Sequence, residues 1–210
     1  MPPSGPAPAV ISSACPLLLG SGSPRRRELL EQMRIPILVR APVVDERELP
    51  GEGAQAYLSR IVTAKTQAAL GFQESPKSAG ILCADTSVVV DGAILGKPGD
   101  EAEGADMLAR LVGRSHEVMT RYAIVVAGEA RARAEQTVVT RVQMRDATDV
   151  ELRRYVATGE GSDKAGGYAV QGIGAFLITR IEGSYSNVVG LPICEVVRDL
   201  VRLGLLVEFP

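Results

Sequence analysis

Short apolar runs alternate along this chain with segments whose apolar residues recur at helical spacing. Leu17 to Gly20 is an apolar run closed by glycine and predicts a buried strand. Ser23 is a helix-capping residue type and Pro24 suits a first helical position, so Arg25 to Met33 is expected as a helix. Ile37 to Val39 predicts a second strand, followed by a loop containing Pro and acidic residues that runs to Gly53. Tyr57, Leu58, Ile61 and Val62 fall at helical spacing and predict a helix over Ala54 to Leu70. Gln73 to Gly80 reads as a loop. Ile81 to Val90 predicts a strand, Asp91-Gly92 a hairpin turn, and Ala93 to Leu95 the returning strand. A short helix is expected over Ala102 to Leu111. Val118 to Val126 and Thr137 to Met144 are β-rich and should pair antiparallel across the loop at Gly128. Asp149 to Ala157 predicts a helix, Gly159 to Gly174 a glycine-dense loop, Phe176 to Ile181 a strand, and Pro192 to Leu203 the last helix. Helices alternate with strands, but hairpins intervene, so the class is α/β with a mixed sheet.

Composition narrows the functional classes. The 210 residues fit one domain or a compact pair of lobes, with 46% apolar and 23% charged residues. A net charge of −2 does not supply the basic surface that bulk nucleic-acid binding needs. Cys15, Cys83 and Cys194 are far apart and form neither a disulfide framework nor a zinc pattern, which suits a reducing, cytoplasmic setting. No apolar run approaches the roughly 20 residues of a membrane span. Residues 1–16, rich in Pro, Ser and Ala, read as a loose tail ahead of a single domain over 17–210. Of the 23 basic residues only Lys65, Lys77, Lys97 and Lys164 are lysines. Where arginine is the general surface cation, a lysine marks a place where a compact ammonium is useful.

Four segments carry chemistry. In LGSGSPRRRELL a strand and a small-residue turn lead into a helix whose first turn holds Arg25, Arg26 and Arg27. Cations there oppose the helix dipole by about 0.3–1 kcal/mol each. An anion held by backbone N–H groups, the Ser21 and Ser23 hydroxyls and the arginine forks resolves that conflict. Removing Arg26 is then expected to weaken anion binding and leave stability unchanged or slightly better. Asp45 and Glu46 lie in the loop after the second strand, where Asp45 reads as a solvated acid. Asp85 interrupts the apolar run ILCADTSVVV beside Thr86, and a carboxylate there needs a partner or a metal. Lys97, in GKPGD, is aimed by the following Pro98, while Lys65 sits on the long helix; either alone would be a surface charge. In SDKAGGYAVQGIGAF, Gln171 offers an amide that can donate and accept, with Asp163 and Lys164 at the edge. This segment reads equally as a flexible loop. His116, the single histidine, is expected to be structural or at the surface, so acid–base work falls to carboxylates.

The strings SGSPRRRELL, Asp45-Glu46, ADTSVVVDGAILGKP, SHEVMT, SDKAGGYAVQG and GSYSNVVGLP follow one another from about Leu17 to the last helix. Together they resemble the Maf (septum formation inhibitor) family. The resemblance implies a mixed twisted sheet in two lobes with a nucleotide cleft between them, and a homodimer. It implies a nucleoside triphosphate pyrophosphatase assisted by Mg²⁺ or Mn²⁺. By the same resemblance Asp85 is the catalytic acid–base residue, and Glu46 joins Asp85 in holding the metal. Ser21, Arg26, Lys65 and Lys97 correspond to phosphate contacts. The combination Arg25, Thr86 and Gln171 is similar to that of the branch acting on dTTP and UTP. Two other readings stand beside it: a pyrophosphatase for 7-methyl-GTP, and a non-enzymatic nucleotide-binding regulator of cell division.

Overall fold

The structure is a computed structural model and describes residues 9–72 and 78–210. The expected loose tail over 1–8, most of the loop from Gln73, and Lys77 lie outside the described residues. Within them a seven-stranded mixed sheet has the order β2-β1-β3-β5-β6-β7, with β4 pairing β3 off this path. Its strands are β1 (Leu17–Gly20), β2 (Ile37–Val39), β3 (Gly80–Val90), β4 (Ala93–Leu95), β5 (Ser115–Val126), β6 (Ala134–Met144) and β7 (Ile178–Glu182). β2, β1 and β3 run parallel, and β3, β5, β6 and β7 antiparallel. The helices are α1 (Pro24–Gln32), α2 (Ala54–Leu70), α3 (Glu101–Ala109), α4 (Asp149–Val156), α5 (Tyr185–Val189) and α6 (Ile193–Arg202). No helix among the described residues is long and apolar enough to cross a membrane.

The two ends of β3 and β5 belong to different cores. Leu82, Ala84, Tyr122 and Ile124 pack with β1, α1 and α6, whereas Val88, Val90 and Val118 pack with α3 and α4. The two lobes are therefore opposite ends of one continuous sheet. Asp85 and Thr86 lie midway along β3, at the only half-buried step in a strand that is otherwise buried.

Several boundaries differ from the sequence expectation. Ile11, placed in the loose tail, is buried, and its N–H donates to the Leu205 carbonyl at 2.8 Å. The chain is therefore packed down from about that residue. The glycine-dense segment is also not a featureless loop, for it holds 3₁₀ turns over Ala165–Gly167 and Gly172–Leu177. The short α5 was not anticipated at all. The Ser184 hydroxyl caps its start, accepting from the Asn187 N–H, and Gly190 ends it.

Candidate active site

A break in the sheet makes the cleft. β1 accompanies β3 only as far as Gly20 opposite Cys83, and β4 joins only from Leu95 opposite Val88. Between these points Ala84 to Ser87 have β5 on one side and no strand on the other. Successive strand side chains point to opposite faces. At an open edge both faces reach the same space, so Asp85 and Thr86 line one cleft of about 1130 Å³. The last residue of β1 is glycine for a packing reason, since a Cβ at Gly20 would lie 2.5 Å from Cys83 Sγ.

On one face of β3, α1 turns Arg26 inward until it is almost fully buried. Its Nε donates to the Gly190 carbonyl at 2.8 Å, and Nη1 to Ser21 Oγ at 2.9 Å and the Ala84 carbonyl at 2.8 Å. Nη2 donates to Thr86 Oγ1 at 3.0 Å. The guanidinium thus supplies donors to the unpaired edge of β3. Burial pulls its pKa down, an effect that the nearby Asp85 charge opposes. Thr86 Oγ1 also lies 2.8 Å from Thr120 Oγ1.

These contacts correct the expectation that removing Arg26 is harmless to stability. The Gly190 carbonyl would keep the Thr86 hydroxyl at 3.2 Å and Ser21 Oγ the Ser23 N–H at 3.2 Å. The buried Ala84 carbonyl would lose the Arg26 donor, at roughly 1–3 kcal/mol for a group left unpaired. The dipole conflict affects the three arginines differently. Arg26 is met by the Gly190 and Ala84 carbonyl dipoles, Arg25 reaches across the cleft to Asp163 at 2.8 Å, and Arg27 turns outward toward Glu31.

On the other face, α2 buries a stripe of Ala54, Tyr57, Leu58, Ile61, Val62, Lys65, Thr66 and Ala69. Lys65 occupies a core position on that stripe, and is not the surface charge it would be taken for alone. Its Nζ lies 2.6 Å from Asp85 Oδ1 and 2.6 Å from Glu46 Oε1. The Glu46 backbone is fixed by the Tyr57 hydroxyl, which donates to its carbonyl at 3.0 Å. Its loop is tied to α2 by Arg60, which donates to Glu52 and to the Arg47 carbonyl. Asp45 faces away and pairs with Arg47 in solvent, whose hydrogen bonds hold its carboxyl at about 2.

The facing wall is the segment from Glu160 to Gly172. Asp163 accepts from Arg25 and, at 2.5 Å, from Lys164, whose Nζ also donates to the Glu160 carbonyl. Partial burial alone would raise the Asp163 carboxyl, but the Lys164 and Arg25 donors prevail and hold it at about 2. Gln171 is exposed on this wall and Lys97 at the mouth beyond β4; both line the cleft. His116 lies buried in β5 with Nε2 2.7 Å from the Tyr168 hydroxyl, and burial lowers its pKa to about 4.

Ser21, Arg25, Arg26, Glu46, Lys65, Asp85, Thr86, Lys97 and Gln171, the residues singled out from the sequence, all border this one cleft. Sequence reasoning missed the Gly190 carbonyl, Thr120 and Tyr57. The only signal for the first was the Ser-capped, glycine-ended run GSYSNVVG. Among the described residues no cluster of three or more His, Cys, Asp or Glu side chains could hold a metal. Glu46 and Asp85 nevertheless direct hard oxygen donors at one point, now spanned by the Lys65 ammonium. Two carboxylates supplemented by substrate phosphates are a donor set that suits Mg²⁺.

The chain is similar to known proteins over most of its length. A family model described as Maf-like protein matches residues 16–203. A protein of Oleidesulfovibrio alaskensis named dTTP/UTP pyrophosphatase is 44% identical over 197 residues, which is 93% of this chain and 89% of that one. Proteins of the same name from Desulfotalea psychrophila and Geobacter sulfurreducens are each 45% identical. These alignments cover 88% and 90% of this chain, and 93% and 97% of the relatives.

Proposed function

The chain belongs to the Maf family, and from that membership we propose that it hydrolyses dTTP and UTP to the nucleoside monophosphate and pyrophosphate. The observation that carries this proposal is Asp85, a carboxylate at the open edge of the central strand with Lys65 on one face and the Arg26 site on the other. In the reaction a water oxygen bonds to the α-phosphorus, and the bond from that phosphorus to the oxygen bridging to the β-phosphate breaks. Charge on the leaving pyrophosphate must be met by positioned cations. Arg26, Lys65, Lys97 and the Ser21 hydroxyl border the space where the phosphates would lie. Asp85 commits Oδ1 to Lys65, which leaves Oδ2 to take the proton of the attacking water. Glu46 and Asp85 would hold a Mg²⁺ or Mn²⁺ ion. When bound it supplies charge neutralisation and water acidification.

Specificity for a pyrimidine base is assigned to Arg25, Thr86 and Gln171. Gln171 has an amide suited to O4 and N3–H of uracil or thymine. Arg25, engaged with Asp163, links α1 to the wall that carries Gln171. The three unpaired cysteines support a cytoplasmic setting. A homodimer follows from the resemblance and is read by light scattering.

Incubating the protein with dTTP, UTP, CTP, GTP and 7-methyl-GTP in Mg²⁺, and measuring pyrophosphate, tests the proposal. Highest kcat/KM for dTTP and UTP is expected. A preference for 7-methyl-GTP would shift the substrate branch, and no release from any nucleotide would leave a binding protein.

A further inference from the structure

Gln171 stands where a 3₁₀ turn begins. It is the N-cap of Gly172–Leu177, yet its side chain makes no capping hydrogen bond. The first N–H groups of a helical turn have no partner within it and are usually met by the capping residue's own side chain. Here they are met from elsewhere. Glu160 Oε1 accepts from the Ile173 N–H at 2.8 Å, and Oε2 from the Gly174 N–H at 2.7 Å. Gly172, with φ +78°, makes the approach possible, because a Cβ there would lie 2.2 Å from Glu160 Oε1. Glu160 is anchored in turn, since its own carbonyl accepts from Lys164 at 2.5 Å.

We infer that Glu160 is a positioning residue for base recognition: by capping the 3₁₀ turn in place of Gln171, it frees the Gln171 amide and fixes its direction toward the cleft. Without that carboxylate the freed N–H groups would be open to the capping residue's own side chain, here the Gln171 amide oxygen. Folding back onto its own turn would withdraw the amide from the base. Burial would raise the Glu160 carboxyl, but the Gly174 and Ile173 amides hold it below the ordinary range, so it is an anion at neutral pH. On the far side of Gln171 the segment is fixed by bonds that do not touch Glu160, with the Tyr168 hydroxyl 2.7 Å from His116 Nε2 and the Gly166 N–H donating to the Gly96 carbonyl at 2.9 Å. Loss of Glu160 should therefore loosen the turn without dissolving the wall.

The inference rests on Gln171 reading the base, so Gln171→Ala is measured beside Glu160→Gln and Glu160→Ala. Glu160→Gln keeps one acceptor and the volume of the side chain, and serves if the alanine variant folds poorly. Expected for Glu160→Gln is a kcat for dTTP within a few-fold of wild type, a raised KM, and a dTTP-to-CTP ratio of kcat/KM lowered about fivefold or more. Adding Gln171→Ala to Glu160→Gln should flatten the ratio little further, because both changes remove one interaction. Equal losses on both substrates, or an unchanged ratio while Gln171→Ala flattens it, would overturn the positioning role alone. An unchanged ratio in Gln171→Ala would overturn base reading and this inference together.

Discussion

The two walls of the cleft hold their charges differently. On the inner wall, Arg26, Lys65, Asp85 and Thr86 sit on regular elements, and each of them bonds to a neighbouring helix or strand. On the outer wall, Arg25, Asp163, Lys164 and Gln171 are half-exposed or exposed, and their bonds run mostly within one glycine-rich segment. A buried charge without its partner is costly, so on the proposed function the inner wall ties stability to chemistry. The exposed pairs of the outer wall contribute little to stability and are free to tune recognition. Adjacent residues show the contrast most directly, since Arg25 and Arg26 share a helix turn and belong to opposite regimes.

Four measurements would break or sharpen that contrast. The largest effect is expected at Asp85. Asp85→Asn is isosteric and should lower turnover by at least about 10²-fold while thermal unfolding shows the fold retained. Near-normal pyrophosphate release would remove Asp85 from the chemistry of the inner wall.

Arg26→Ala comes next and should act on stability. Losing the donor to the buried Ala84 carbonyl, together with the bonds to Gly190, Ser21 and Thr86, should cost about 2–4 kcal/mol, or a fall in Tm of about 10 °C for a chain of this size. A Tm within a degree or two of wild type would show that the inner wall does not couple charge to fold.

Acid should loosen the outer wall through His116, which bonds to Tyr168 behind it. Burial lowers its pKa from 6.5 to about 4. The unfolded chain therefore binds the proton first, and stability falls as pH drops from about 6.5 to about 4. His116→Asn should remove that component from the dependence of Tm on pH, and an unchanged profile would assign it elsewhere.

The smallest stability effect is expected at Arg25. Arg25→Ala should cost under about 1 kcal/mol, because its ion pair with Asp163 is partly solvated. It should change KM for dTTP more than it changes Tm. A large fall in Tm would merge the two walls into one regime.

The inner wall was the more legible of the two. Asp85-Thr86 stands out as a polar step in an apolar strand, and the fold gives that step the open edge of the sheet. Lys65 was legible in principle, for its number falls on the stripe of Leu58, Ile61, Val62 and Ala69. Helix phase thus marks it as inward, although lysine as a residue type does not. Which of Arg25, Arg26 and Arg27 turns inward could not be read locally. The decision rests with Gly190, brought beside α1 by a helix too short to leave a periodic signal. The outer wall reads from its sequence equally as a ligand-facing segment and as a flexible loop, because its ordering comes from Glu160, Tyr155 and His116, none of which lies in a periodic pattern with the glycines they hold.

The bonds of Arg26 also set a schedule for the ribosome. They reach partners 58, 60 and 164 positions along the chain. Long-range contacts form late because the intervening chain must first be confined. During synthesis α1 and β3 emerge early, but the carbonyl that locks the guanidinium belongs to Gly190, in the last tenth of the chain. A nascent chain stalled before α5 would hold Arg26 on Ser21, Ala84 and Thr86 alone, without the Gly190 carbonyl. The full set of Arg26 partners would then be completed only once Gly190 has been made.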